Sequence, residues 1–258
     1  MISELLLIVS SFFAPAAVSV AAEVHAPTSV VVFLDFSASI HGPARSAYRR
    51  DLETSILPFL AAGDRIMIAP IHDKTLTGFR PLAEAALPLM PQFNGFVDNT
   101  LKHAKHTRET EQVIATTRQQ LKADVAQTFA KPVASQYTDI FSSLAVAEKY
   151  FHGDTRRKVL VLMSDMIEDN PPYKFDAMRW RPGERDKLLA EVAAKRLIPD
   201  LSDVCIYVSG ASAPSPALAG EIGRFWQEYF ARAGADFDPA RYAHVLLHWP
   251  PPKSCRSR

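Results

Sequence analysis

The chain has only two cysteines, Cys205 and Cys255, in 258 residues, which is far from a disulfide framework. It also lacks a charge of one sign. With 29 Lys and Arg against 28 Asp and Glu, no overall field draws the whole molecule onto nucleic acid or an anionic membrane. The sequence contains no Gly-rich phosphate loop, no Gly-x-Ser-x-Gly elbow and no His-Glu-x-x-His helix. These absences remove the common signs of nucleotide binding, serine hydrolysis and zinc proteolysis, and leave partner choice to a local site.

What is present is enough apolar material for one sizeable core, since 48% of residues are hydrophobic and 10% aromatic. Residues 5–22, LLLIVSSFFAPAAVSVAA, form an apolar run that ends in small residues just before Glu23. This is the profile of a cleaved signal peptide, with Val20 and Ala22 at the small-residue positions, although residues 1–4 carry Glu4 and no Lys or Arg. A retained anchor competes with that reading, weakened by Pro15, and a buried first helix comes third. The expectation is an exported domain, periplasmic or secreted, with no stable membrane span after cleavage.

Strand and helix signals alternate from Val30 onward. VVVFLD is a continuous β-branched and apolar run of the kind covered on both faces of a sheet. Residues 44–60 have helical spacing, 65–72 read as the second strand, and 74–81 (KTLTGFRP) as a short antiparallel edge strand. Residues 98–130 lack Gly and Pro, are rich in charge and have sparse apolar positions, which predicts a long, partly solvated helix lying on the domain. A mobile interaction arm is the functional alternative for this insertion, 98–131. Helices are expected at 140–151, 184–197 and 216–233, and strands at 158–164, 203–208 and 242–249. The fold class is therefore α/β: a mostly parallel, doubly wound sheet of about six strands with one antiparallel edge strand and helices on both faces. Cys205 opens a strand, whereas Cys255 lies in the Pro-rich basic tail 250–258. The expectation is that they do not pair and that the tail is a disordered end.

Ligands of such sheets bind beyond the carboxyl ends of the strands. There stand Asp35, Ser37 and Ser39 after the first strand, Thr138 and Asp139 at the head of the 140–151 helix, and Asp165 after the KVLVLMS strand. Carboxylates and hydroxyls are hard oxygen ligands suited to Mg²⁺ or Mn²⁺ rather than zinc. Neutral hydroxyls leave the ion electrophilic, so a carboxylate from another molecule is the natural added ligand. Taken singly, these residues also fit helix caps and turns; their joint placement on one rim is the signal.

DFSAS, YTDIFSSLA and VLVLMSD resemble the three metal-site loops of von Willebrand factor type A (VWA) domains. The resemblance covers residues 28–249 and implies a Rossmann-like fold, a metal-ion-dependent adhesion site (MIDAS) and a protein ligand. It assigns the metal to Asp35, Ser37, Ser39, Thr138 and Asp165. Many members carry Gly after the third-loop aspartate, where this chain has Met166, so Glu168 and Asp169 are substitute ligands to consider. The implied function is a non-catalytic, exported binding domain. The alternatives are a Mg²⁺-dependent phosphohydrolase, which lacks its second aspartate because position 37 is Ser37, and a scaffold that binds partners without metal. His103 and His106 read as a solvated face. In FWQEYF, 225–230, a core-facing stripe is expected with one aromatic left over for a partner.

Overall fold

The computed structural model describes residues 25–73, 78–95, 99–131, 135–181 and 183–256. The expected leader 1–22 lies outside them. Six strands, β1 (Thr28–Asp35), β2 (Arg65–Ile71), β3 (Ala83–Ala86), β4 (Arg157–Met163), β5 (Val204–Ser209) and β6 (Asp236–Ala243), form one sheet in the order β3-β2-β1-β4-β5-β6. All neighbours pair in parallel except β2 and β3. The architecture is the α/β sheet expected, with one antiparallel edge, and its strand order reverses between β1 and β4.

Period-two alternation divides the core. Val31, Phe33, Leu160, Leu162, Ile206 and Val208 share one cluster with residues of α4 (Ile140–Phe151), α5 (Glu184–Ala194) and α6 (Pro216–Arg232). Val30, Val32, Leu34, Val159, Val161 and Tyr207 share the other with residues of α1 (Gly42–Asp51) and α3 (Thr100–Ala130). Both faces are covered, so all of β1 is buried. Each such side chain contributes on the order of 1.5–3 kcal/mol.

Several expectations need correction. The helix expected at 44–60 is interrupted: α1 passes into a π turn, Leu52–Ile56, before the short α2 (Leu57–Phe59). Pro58 has no N–H to offer the Thr54 carbonyl, which favours the wider turn. The antiparallel edge strand is Ala83–Ala86, not 74–81, of which residues 74–77 lie outside the described residues. The last strand is Asp236–Ala243, not 242–249; it tolerates Pro239 because it is an edge strand, where the register with β5 shifts. The apolar run after it is a strap. Leu246 and Trp249 pack on the second cluster, and the Trp249 indole donates to the Ser55 carbonyl at 3.1 Å.

The tail is not a free end. Cys255 is buried and disulfide-bonded to Cys205, the reverse of the expectation, with their Cα atoms 5.1 Å apart. Arg157 holds the Pro252 carbonyl at 2.7 Å. Prolines removed regular hydrogen bonding from this segment without preventing it from packing.

The aromatics of α6 are also buried, all four of them: Phe225, Trp226, Tyr229 and Phe230. Positions i, i+1, i+4 and i+5 span about 140° of a helix, so they form one broad face with no residue left over. Tyr173, Phe175 and Trp180, from the loop after β4, pack in the same cluster.

Candidate metal centre

The residues singled out on the sequence fall at the carboxyl ends of β1 and β4, where the strand order reverses, which is where open α/β sheets place ligands. Asp35 ends β1 and is fully buried. Its Oδ1 accepts the Ser37 amide at 2.8 Å and its Oδ2 the Ser164 hydroxyl at 2.7 Å. Burial pushes its carboxyl above the usual range, against hydrogen bonds from Ser37 and Ser164 and the charge of Arg45. The Ser37 and Ser39 hydroxyl oxygens lie 3.0 Å apart, and Ser37 bridges to Ser135, which ties the first loop to the second.

Asp165 follows β4, also buried, with its Oδ1 accepting the Ile167 amide at 2.9 Å. Burial raises its carboxyl first and the negative charge of Asp35 second, to about 6; a hydrogen bond from Ser39 opposes them. The two carboxylates therefore sit in each other's field. Thr138 is buried at the head of α4, where its carbonyl accepts the Asp169 amide at 3.0 Å and joins the second loop to the third. Asp139 is the N-cap of α4, accepting from the Ser142 amide at 3.0 Å.

Both substitute candidates have partners of their own. Glu168 is fully buried, and its Oε2 accepts the Ile140 and Phe141 amides at 2.7 and 3.3 Å, capping the first turn of α4. Burial, then the charge of Asp139, raises its carboxyl well above the usual range. Asp169 pairs with Lys174 at 3.1 Å.

Met166 takes the conformation for which glycine is usually chosen. Its φ is 68°, its side chain is fully buried, its amide donates to Ser164 Oγ at 3.0 Å, and its carbonyl accepts the Trp226 indole at 2.8 Å. Packing and two hydrogen bonds hold a left-handed residue that has a Cβ. The third loop thus keeps its turn without glycine.

Sequence reasoning passed over Ser164, Tyr48 and Arg45. Ser164 sits in the quoted VLVLMSD, one residue before Asp165, but its hydroxyl points to Asp35. Tyr48, part of the helical stripe of 44–60, is buried beside the rim against Gly210, whose φ is 109° and where any Cβ would strike the Tyr48 ring. Burial and then the charges of Asp35 and Asp165 hold the Tyr48 hydroxyl protonated. Arg45 donates to the Phe36 carbonyl at 3.3 Å. A different set of potential ligand atoms, on Cys205, Asp236 and Cys255, lies within 4.8 Å, but both sulfurs are spent in the disulfide. Asp236 is paired with Arg241 at 2.8 Å.

No protein-family model and no curated protein matches the chain. Among solved structures it is similar to the crystal structure of the pilus adhesin SpaC from Lactobacillus rhamnosus GG in its open conformation, with 12% identity and a TM-score of 0.43. That alignment covers 85% of this chain and 28% of the adhesin, so this chain spans under a third of that structure's length.

Proposed function

We propose that this is an exported, non-catalytic binding domain of the von Willebrand factor type A kind, which captures a protein ligand through a divalent cation at the sheet rim. One observation carries the reading. Asp35 and Asp165 are two buried carboxylates in each other's field, and among the described residues no Lys or Arg forms an ion pair with either. The donor set fits Mg²⁺ or Mn²⁺: hard carboxylate oxygens with the hydroxyls of Ser37, Ser39 and Thr138 on the same three loops. Such an ion supplies an electrophilic centre for a ligand carboxylate. The chain's own residues do the rest. Ser164 and the Ser37 amide orient Asp35, the Ile167 amide orients Asp165, and the buried Tyr48 ring packs beside them.

The position two residues beyond Asp35 is a serine, so the rim has no second carboxylate there to serve as a general acid, and we place no catalytic step in it. Export is supported by the buried Cys205–Cys255 disulfide, a bond that persists in oxidising compartments. Among the described residues no helix is long and apolar enough to cross a membrane. One observation favours the metal-free scaffold as a second reading: the Arg45 charge already lowers the Asp35 carboxyl.

Magnesium titration followed by NMR decides between the two. The amides of Ser37, Ser39, Thr138 and Ile167 are expected to shift, and Asp165→Asn to remove the response while leaving the rest of the spectrum in place. An unmoved spectrum together with partner capture that persists in chelator rejects the metal.

A further inference from the structure

Beside the metal loops, between the start of α1 and the chain that leaves β5 and β6, lies a cavity of about 320 Å³. It is joined to the metal rim on two sides. Ser39 borders it, and Ser212 in its far wall donates its amide to the Asp165 carbonyl at 3.3 Å. The Gly210 and Ala211 amides both donate to the Ala243 carbonyl, at 3.0 and 3.1 Å, which holds the chain after β5 against the end of β6. Ser212 and His244 thereby face one cavity.

The cavity wall holds an unanswered donor. Tyr48 is 1% exposed, and its hydroxyl, kept protonated beside the rim acids, has no hydrogen-bond partner among the described residues. Gly210, in the same wall, leaves the space that the hydroxyl occupies. A buried polar group without a partner is rare and costly, and because Tyr48 lines the cavity an acceptor seated there completes it.

The lining also decides the charge of the occupant. No Asp, Glu, Lys or Arg is part of it, so a charged group would enter without a counter-ion. A second carboxylate would stand in the field of Asp35 and Asp165 as well. Ile40, Ala44 and Ala47 supply an apolar wall for a hydrocarbon stem, but a wholly apolar occupant leaves the Tyr48 hydroxyl unpaired. At the exposed side, the Ser39 and Ser212 hydroxyls and the His41 and His244 rings each offer a donor and an acceptor. A side-chain amide meets every one of these conditions. Its stem lies on the alanines, its carbonyl accepts from Tyr48, and its NH₂ donates to a hydroxyl or imidazole at the exposed side.

We propose that this cavity receives a neutral amide side chain, glutamine or asparagine, next to the metal-bound carboxylate of the protein ligand. This rests on the metal-dependent reading of the rim. The test titrates the full chain, in magnesium, with acetyl-Gln-Asp-Gln-amide and with its Leu-Asp-Leu and Glu-Asp-Glu counterparts, followed by NMR. The glutamine peptide is expected to shift the amides of Gly210, Ser212 and His244 together with those of Ser37 and Ser39, and to bind roughly fivefold more tightly than the other two. Tyr48→Phe removes the donor and Ala47→Leu fills the cavity. Either is expected to bring the ratio of glutamine to leucine peptide affinity to about one. Peptides that shift Ser37 and Ser39 with equal affinity and leave Ser212 and His244 in place overturn the subsite while the metal reading stands. A fivefold ratio that survives Tyr48→Phe overturns it too, since water then satisfies the hydroxyl. A glutamine preference that persists in chelator upholds the cavity and rejects the metal.

Discussion

Buried acids occur at both ends of the sheet, and the two ends treat them differently. At the amino edge Asp64 accepts the Thr28 amide at 2.6 Å and lies 2.8 Å from the His25 ring, with burial raising its carboxyl, and Asp154 lies 3.0 Å from Arg65. Burial alone would raise the Asp154 carboxyl, but bonds from Arg156 and Ser29 and the charge of Arg65 hold it below the usual range. At the carboxyl rim, Asp35 and Asp165 have hydroxyls and amides but no ion pair, and both carboxyls are raised. The rim differs in that two raised carboxyls lie in each other's field without an ion pair among the described residues.

The largest effect that separates the two ends lies at the edge. Cys205→Ser with Cys255→Ser opens a crosslink across a sequence separation of 50 residues and is expected to cost about 4 kcal/mol in denaturant unfolding. Magnesium affinity at the rim is expected to stay unchanged, and a parallel loss of affinity breaks the separation. Glu168→Ala removes a buried acceptor from two α4 amides and is expected to cost about 2 kcal/mol. It acts at the rim and so lowers magnesium affinity as α4 frays.

Next comes pH. The folded Asp165 carboxyl, near 6, lies above its unfolded value of 3.8, so the native state holds the proton more tightly. That contribution to stability is fully present below about 4 and lost as pH rises through about 6, with Asp35 acting in the same direction. In chelator, melting is expected roughly 5 °C higher at pH 4.5 than at pH 7.5, and magnesium to narrow the gap by competing with the proton. A flat profile in chelator shows that the rim carboxylates are already compensated. The smallest effect is Arg45→Gln, which removes the cation nearest Asp35. Magnesium binding is expected to tighten about threefold, in line with roughly 0.5–1 kcal/mol for a partly exposed charge. Titration calorimetry reads it, and a weaker affinity assigns Arg45 to loop geometry instead.

Much of the rim was legible because its signal is local. Asp35, Ser37 and Ser39 follow a buried strand by two-residue steps, and Thr138 and Asp165 stand at the head of a helix and the end of another strand. The helix α3 was legible as a long helix with sparse apolar positions. Harder to see were the features that depend on distant partners. Glu168 reads as a substitute ligand and Ser164 as an ordinary loop residue until α4 and β1 are placed beside them. Met166 looks like a defect in the third loop until the Trp226 indole and the core are seen to hold its left-handed turn.

The sequence alone determined the strand and helix alternation, hence a parallel sheet whose carboxyl ends share one rim, because periodicity and apolar runs are set by neighbours along the chain. Only the tertiary structure decided that Cys255 reaches Cys205, that the strap of 244–256 packs on the domain and that Glu168 caps a helix. Those outcomes are fixed by contacts between residues far apart in sequence, and a local pattern carries no record of which distant group will supply the partner.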